Sequence, residues 1–135
     1  MTVTSDMLRT CPADLGAADR ETLADCIDRC LDCFQACSAC ADACLAQDTV
    51  TELRACIRAC LDCADICDAT ARILSRHTGY GVDTARDVLA ACAAACEACA
   101  GQCARHERRH GHCAVCAEAC RRCAQACRTL LDALR

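Results

Sequence analysis

Apolar positions recur along this chain at gaps that alternate between three and four residues, in four separate tracts. This spacing places one side chain per turn on the same face of an α-helix. Charged and small residues fill the positions between, so each tract predicts a helix with one buried face. Three short breaks, near residues 47–50, 78–82 and 111, separate the tracts. Because short breaks favour antiparallel neighbours, the pattern predicts an all-α fold, an antiparallel up-down-up-down four-helix bundle.

Residues beside the breaks predict where the helices begin. Asp19 is placed to cap the first helix, because its side chain can accept a hydrogen bond from the first turn. Thr49 and Glu52 match a capping box for the second helix. Asp83 or Thr84 is the expected N-cap of the third helix.

The length of 135 residues suits a single domain with a substantial core. Residues 1–18 lie outside the repeated pattern, and we expect them to form an N-terminal extension with a short helix and a turn. Residues 19–135 are then the four-helix bundle, the part expected to carry the chemistry.

The buried face of every predicted helix is lined with cysteine, which is the most informative feature of the composition. Nineteen of the 20 cysteines lie on the tracts, and Cys11 is the exception. The tract cysteines are Cys26, Cys30, Cys33, Cys37, Cys40 and Cys44; Cys56, Cys60, Cys63 and Cys67; Cys92, Cys96, Cys99 and Cys103; and Cys113, Cys116, Cys120, Cys123 and Cys127. The sequence therefore predicts a bundle whose core is made of thiols.

Two ordinary roles of buried cysteine, inert packing in the core and disulfide bonding, do not explain nineteen cysteines on these tracts. Truncating leucines in a core costs about 2–5 kcal/mol each, and cysteine recovers only part of the lost volume. Thiols three or four residues apart on one helix cannot reach disulfide geometry without unwinding it. A high cysteine content in a reducing cytosol points to metal binding, so all nineteen tract cysteines are predicted metal ligands.

The spacing discriminates among metals. Iron–sulfur clusters are bound by loops that wrap around them, so a rigid row of thiols disfavours an iron–sulfur electron carrier. Cu(I) accepts two or three thiolates, and one Cu(I) per thiolate leaves a nearly neutral filling that a dry core tolerates. We therefore expect many Cu(I) ions in each chain. The alternative is a metallothionein-like buffer for zinc or mixed soft metals, because a tube of thiols also offers tetrahedral sets.

The two ends of the predicted tube differ. His106 and His110 continue the buried stripe of the third helix, and we expect them to be metal ligands at an open end, the mouth, together with Cys44, Cys56, Cys103 and Cys113. His112 lies beside them and can assist, whereas His77 is expected on the surface. Leucines predict an apolar plug at the other end: Leu23, Leu74, Val88 or Leu89, Leu130 or Leu131, and Leu134.

The remaining composition excludes several functions. The net charge is −4, and the 15 basic residues, all arginine, are scattered, so nucleic acid is not an expected partner. No stretch is apolar enough to span a membrane, and no secretory signal is evident, which predicts a cytoplasmic protein. No nucleophile, acid and base converge away from the thiols, so we expect no enzymatic activity. The aspartates beside the cysteines are hard ligands and are expected on the solvated faces.

A second apolar row predicts either a seal between the first two helices or a subunit interface. It consists of Ile27, Leu31 and Phe34 on the first helix and Leu53, Ile57 and Leu61 on the second. A row of this kind on a bundle surface favours self-association.

The four Cys-x3-Cys-x2-Cys-x3-Cys tracts, together with His106 and His110 at the mouth, resemble the bacterial copper storage proteins, in particular their cytosolic branch. The resemblance covers about residues 19–134. It implies a four-helix bundle, usually a homotetramer, that stores Cu(I) on cysteine thiolates for copper detoxification and homeostasis. It also implies exchange of copper with a donor and an acceptor that the sequence does not identify.

Overall fold

The computed structural model describes residues 2–16 and 18–134, and this part of the chain is helical with no strand. In chain order the elements are α1 (Val3–Thr10), α2 (Arg20–Leu45), a 3₁₀ helix (Val50–Leu53), α3 (Arg54–Leu74), α4 (Val82–Ala104) and α5 (Gly111–Ala133). The four long helices carry the four cysteine tracts, as predicted.

Helices α2 to α5 pack in a ring, each against its two neighbours. The register between α2 and α5 follows from their paired sulfur atoms: Cys26–Cys127 (3.9 Å), Cys33–Cys120 (3.6 Å), Cys37–Cys116 (3.7 Å) and Cys40–Cys113 (4.0 Å). Residue numbers rise along α2 as they fall along α5, so these two helices are antiparallel. The pairs Cys56–Cys103, Cys63–Cys96 and Cys67–Cys92 show the same for α3 and α4.

Of the three predicted helix starts, one is confirmed and two are wrong. Asp19 caps α2, because its carboxylate accepts a hydrogen bond from the Thr22 N–H at 2.8 Å. The capping box of Thr49 and Glu52 does not form. The Glu52 N–H instead donates to the Thr49 carbonyl at 2.9 Å, closing the 3₁₀ helix, so it is not available to the Thr49 hydroxyl. α3 therefore begins only at Arg54.

The start of α4 also differs from the prediction. Neither Asp83 nor Thr84 is the N-cap, because the carbonyl of Gly81 already accepts the N–H of Ala85 at 3.1 Å. The helix consequently begins at Val82, and Gly81 is its N-cap. Asp83 lies in the first turn, where its charge favours the positive end of the helix dipole.

The predicted apolar plug closes one end of the bundle. Leu23, Leu74, Leu89, Leu130 and Leu134 are all buried there. The prediction that His77 lies on the surface is wrong: its side chain is only 6 % exposed. The centroid of the His77 ring lies 5.0 Å from that of Tyr80 in the loop that joins α3 to α4, so the two rings pack together within this loop.

The N-terminal segment forms α1, a short helix that lies against α2. Leu8 is its buried residue, and the Thr2 hydroxyl donates a hydrogen bond to the Asp28 carboxylate at 2.9 Å. Among the described helices, none is both long enough and apolar enough to cross a membrane.

The second apolar row divides between core and surface. Ile27 and Leu53 are buried in the core. Leu31, Phe34 and Leu61 remain 43 %, 37 % and 49 % exposed. The row therefore seals part of the contact between α2 and α3 and leaves an apolar strip outside.

Candidate metal centre

The nineteen tract cysteines are all buried, and all are free thiols. Each tract follows the 3.6-residue period of its helix, so its sulfur atoms face the bundle axis. Contacts between neighbouring sulfur atoms are 3.5–4.0 Å long and connect different helices as well as successive turns. We call this continuous arrangement the sulfur column. It spans about 27 Å along α2, at 1.5 Å per residue from Cys26 to Cys44.

Sets of four sulfur atoms converge along the column. In each set the atoms lie within 4.8 Å of one another, and every member is buried. Five such sets are Cys30, Cys92, Cys123 and Cys127; Cys33, Cys63, Cys67 and Cys96; Cys33, Cys37, Cys63 and Cys120; Cys37, Cys99, Cys116 and Cys120; and Cys40, Cys60, Cys103 and Cys116. Several of these sets share members, so they form a chain of adjoining sites along the axis.

The sulfur spacing suits soft metal ions. With a metal–sulfur distance of about 2.3 Å, as in zinc–thiolate sites, sulfur atoms around one ion are about 3.8–4.0 Å apart. The observed contacts are at or just below this range. A column of shared sites matches ions that need few ligands each and tolerate bridging thiolates, which is the chemistry of Cu(I).

Hydrogen bonds among the thiols shift their pKa values in opposite directions. The Cys103 thiol lowers the pKa of Cys40 to about 4 and also lowers the pKa values of Cys56 and Cys99, because its S–H stabilises their thiolates. The pKa of Cys103 is raised, through hydrogen bonds with Cys116 first and then with Cys40 and Cys56. Some thiols of the column therefore ionise readily and others retain their protons until a cation displaces them.

The mouth lies where α2 and α4 end and α3 and α5 begin. Cys56 and Cys103 are in contact there at 3.5 Å, and Cys40 lies 4.0 Å from Cys113. Of the four cysteines predicted for this end, Cys56, Cys103 and Cys113 have these sulfur contacts, and Cys44 is buried without one among the described residues.

His112 has the closest contact with the column among the histidines at the mouth. Its Nδ1 lies 3.4 Å from the sulfur of Cys40 and 3.6 Å from that of Cys113. The Nε2 of the ring lies 3.1 Å from the side-chain amide nitrogen of Gln47, and this contact orients the ring with Nδ1 toward the sulfur atoms. The sequence predicted only that His112 can assist. Its position directly before Cys113, at the start of α5, was the available signal.

His106 and His110 lie at the mouth but not on a helix. α4 ends at Ala104, so the predicted continuation of its buried stripe through both residues is wrong. The N–H groups of residues 105 and 106 instead donate hydrogen bonds to the carbonyls of residues 102 and 103 at the end of α4, and a series of turns follows. Both side chains are half-buried, and the ring of His110 stacks on that of His112 with centroids 5.4 Å apart. The mouth therefore presents the stacked imidazoles of His110 and His112, and His106 is half-buried in the loop that precedes them.

Other donor groups lie outside the column. Cys11 is half-buried beyond the end of α1. Asp32 pairs with Arg29 at 3.4 Å, and Asp62 pairs with Arg58 at 3.1 Å, on the exposed faces of α2 and α3. The carboxylates next to the cysteines therefore interact with arginine and solvent.

Comparison with known proteins places this arrangement in a family. Residues 19–132 match the family model described as copper storage protein. The copper storage protein Ccsp of Streptomyces lividans, in a structure loaded with 10 copper equivalents, is 60 % identical, with 96 % of this chain and 98 % of that chain covered and a TM-score of 0.94. The apo form of copper storage protein 3 from Bacillus subtilis is 37 % identical, with 79 % and 96 % covered and a TM-score of 0.66. Among curated proteins, none matches this chain.

Proposed function

This chain belongs to the copper storage protein family, and we propose that it stores Cu(I) in the cytosol by binding many ions to the thiolates of the sulfur column. Storage protects the cell from free copper and keeps a reserve for copper enzymes. The role requires no catalytic turnover, because binding and release of the ions is the whole function.

One observation carries this proposal: buried sulfur atoms continue through the bundle at contacts of 3.5–4.0 Å, with overlapping sets of potential ligands. A catalytic or structural metal site needs about four ligands, far fewer than this column offers. Because each Cu(I) neutralises one thiolate, a capacity of roughly one ion per thiolate leaves the core nearly uncharged. The Streptomyces lividans relative with 10 copper equivalents supports a multi-ion column of this kind.

The ligands that we propose are the nineteen tract cysteines, with the histidines at the mouth. His106 and His110 receive ions from solvent, because imidazole is a ligand for copper and an ion that enters at the mouth meets these residues before it reaches the thiols. To these we add His112, whose Nδ1 faces the sulfur of Cys40 at 3.4 Å.

The alternative is a buffer for zinc or mixed soft metals. Competition between Cu(I) and Zn²⁺ for the reduced apo-protein separates the two functions. We expect Cu(I) to displace bound Zn²⁺ completely, because thiolates prefer the softer ion. Retention of the bound zinc when Cu(I) is present at the same concentration as Zn²⁺ would identify the protein as a zinc buffer.

We further propose that the protein self-associates, as a homotetramer by the family resemblance. The exposed apolar strip of Leu31, Phe34 and Leu61 supports an interface on the faces of α2 and α3. Apolar strips of this kind on a bundle surface are commonly covered by another subunit.

Replacing both histidines of the turn, His106→Ala with His110→Ala, should slow copper uptake roughly tenfold while leaving capacity nearly intact. The physical reason is that the variant loses receiving ligands and none of the column thiols. Stopped-flow transfer of Cu(I) from a weak chelator measures the rate, and a final titration measures the capacity. His77→Asn, which alters a histidine at the plugged end, is the matched control. If the double variant takes up copper at the wild-type rate, these two histidines do not receive the incoming ions.

Copper affinity should fall as the pH is lowered. The raised pKa of Cys103 means that its proton is still present at neutral pH and must be displaced by the bound ion. Each displaced proton weakens binding about tenfold per pH unit of acidification and strengthens it equally as the pH rises. Competition with a Cu(I) chelator between about pH 6 and pH 8 measures this slope. A slope of zero would mean that every ligand is already ionised.

A further inference from the structure

Cys56 and Cys103 form the shortest thiol–thiol contact in the described part of the chain, at 3.5 Å. Cys56 lies in the first turn of α3, and Cys103 lies in the last turn of α4. A disulfide has a sulfur–sulfur distance of about 2.05 Å, so the two atoms must approach by about 1.5 Å. The ends of helices open more easily than their middles, so small movements there can supply this approach.

Other contacts of the column are less able to close. The pair Cys33 and Cys37 lies on one helix at 3.8 Å, and the helical backbone holds its Cβ atoms apart. The pair Cys33 and Cys120 joins two helices at 3.6 Å, but both residues lie well inside long helices. Cys56 and Cys103 therefore combine the shortest separation with positions in the terminal turns of both their helices.

Imidazoles lie close to this pair at the mouth. The rings of His110 and His112 stack there, with their centroids 5.4 Å apart. The Nδ1 of His112 is 3.4 Å from the sulfur of Cys40, and Cys40 and Cys103 belong to one set with sulfur atoms within 4.8 Å. Imidazole is a good ligand for Cu(II). A cupric ion bound by His112 would therefore have only the sulfur of Cys40 between it and the sulfur of Cys103.

From this geometry we propose that Cys56 and Cys103 reduce Cu(II) arriving at the mouth to the Cu(I) that the column stores. Two cupric ions take one electron each from the two sulfur atoms. Both S–H bonds break, one S–S bond forms between Cys56 and Cys103, and two protons pass to solvent or to the imidazoles. The products are one disulfide and two Cu(I) ions, so the reaction is stoichiometric. The inference rests on the proposed storage function, because the remaining thiols must retain the Cu(I) formed.

The test mixes fully reduced apo-protein, without oxygen, with about two equivalents of aqueous Cu(II). The Cu(II) electron paramagnetic resonance signal is followed in time, and the disulfide is then located by peptide mapping. Cys56→Ser with Cys103→Ser removes the pair. Cys67→Ser with Cys92→Ser is the matched control, because it removes a thiol pair that joins the same two helices at 3.8 Å near the plugged end. Both variants lose two thiols and should lose Cu(I) capacity equally.

We expect rapid loss of the signal in the wild type and in the control, with the disulfide at Cys56 and Cys103. In the mouth variant the loss should be slower by about tenfold or more, because the accessible reductant is gone. Equal rates in the two variants, or disulfides spread over other pairs in the wild type, would overturn the proposal. A parallel titration with Cu(I) separates the two hypotheses: persistence of the Cu(II) signal with normal Cu(I) loading overturns the reduction alone, whereas failure to bind Cu(I) overturns storage itself.

Discussion

Replacing Cys33, Cys63, Cys99 and Cys120 with serine should lower the copper capacity by about four ions per chain, because charge balance assigns roughly one Cu(I) to each thiolate. These residues come from all four long helices and take part in three of the overlapping sets. A serine hydroxyl has nearly the size of the thiol but is a poor ligand for Cu(I). Anaerobic titration with a Cu(I) chelator as competitor measures the capacity.

The control for this variant is Cys11→Ser. Cys11 is half-buried and lies outside the column, so its replacement should leave the capacity unchanged. Circular dichroism of both variants checks that the helices remain. Full capacity in the quadruple variant, or loss of capacity on replacing Cys11 alone, would mean that copper is held elsewhere.

Copper loading should raise the thermal unfolding temperature by about 20 °C or more. The core of the apo-protein consists of small side chains, chiefly cysteine and alanine, with leucines confined mainly to the plug and the helix ends. Each ion that binds the folded state preferentially adds about 4 kcal/mol when its concentration is 1,000 times Kd, and even two such sites account for the predicted shift. Copper bound to thiols of the unfolded chain reduces this gain without cancelling it.

Scanning calorimetry of the apo- and copper-loaded protein, both reduced and without oxygen, measures the shift. Removal of the copper by an excess of chelator should return the unfolding temperature to the apo value. Equal unfolding temperatures for the two forms would mean that the ions bind no better to the folded bundle than to the unfolded chain. That result would contradict a preorganised sulfur column.

The bundle and its thiol core were predictable because one regular pattern specifies both. Gaps of three and four residues define a helical face, and four such faces separated by short breaks must meet along a common axis. Cys33 and Cys120, which are distant in sequence, are therefore in contact at 3.6 Å, as the pattern requires. The leucine plug follows from the same argument, because Leu23 and Leu130 continue their helical faces beyond the last thiols.

The loops were less predictable because their conformation depends on backbone hydrogen bonds that residue types alone do not fix. The 3₁₀ helix uses the Glu52 N–H that a capping box would need, and the turns after Ala104 remove His106 and His110 from the helical stripe. His77 is buried by the fold of its own loop against Tyr80. His112 faces Cys40 through a hydrogen bond with Gln47, a residue 65 positions away in the sequence. No periodic pattern contains that contact.

The central claim is that one bundle holds many Cu(I) ions on its buried thiols. Native mass spectrometry of the fully reduced protein, titrated with Cu(I) without oxygen and in the presence of a strong Cu(I) chelator, tests it most directly. We predict roughly one retained copper per tract cysteine, and the same spectra give the number of subunits in the assembly. Saturation at a few ions, or loss of all copper to the chelator while zinc stays bound, would contradict storage and identify a zinc buffer.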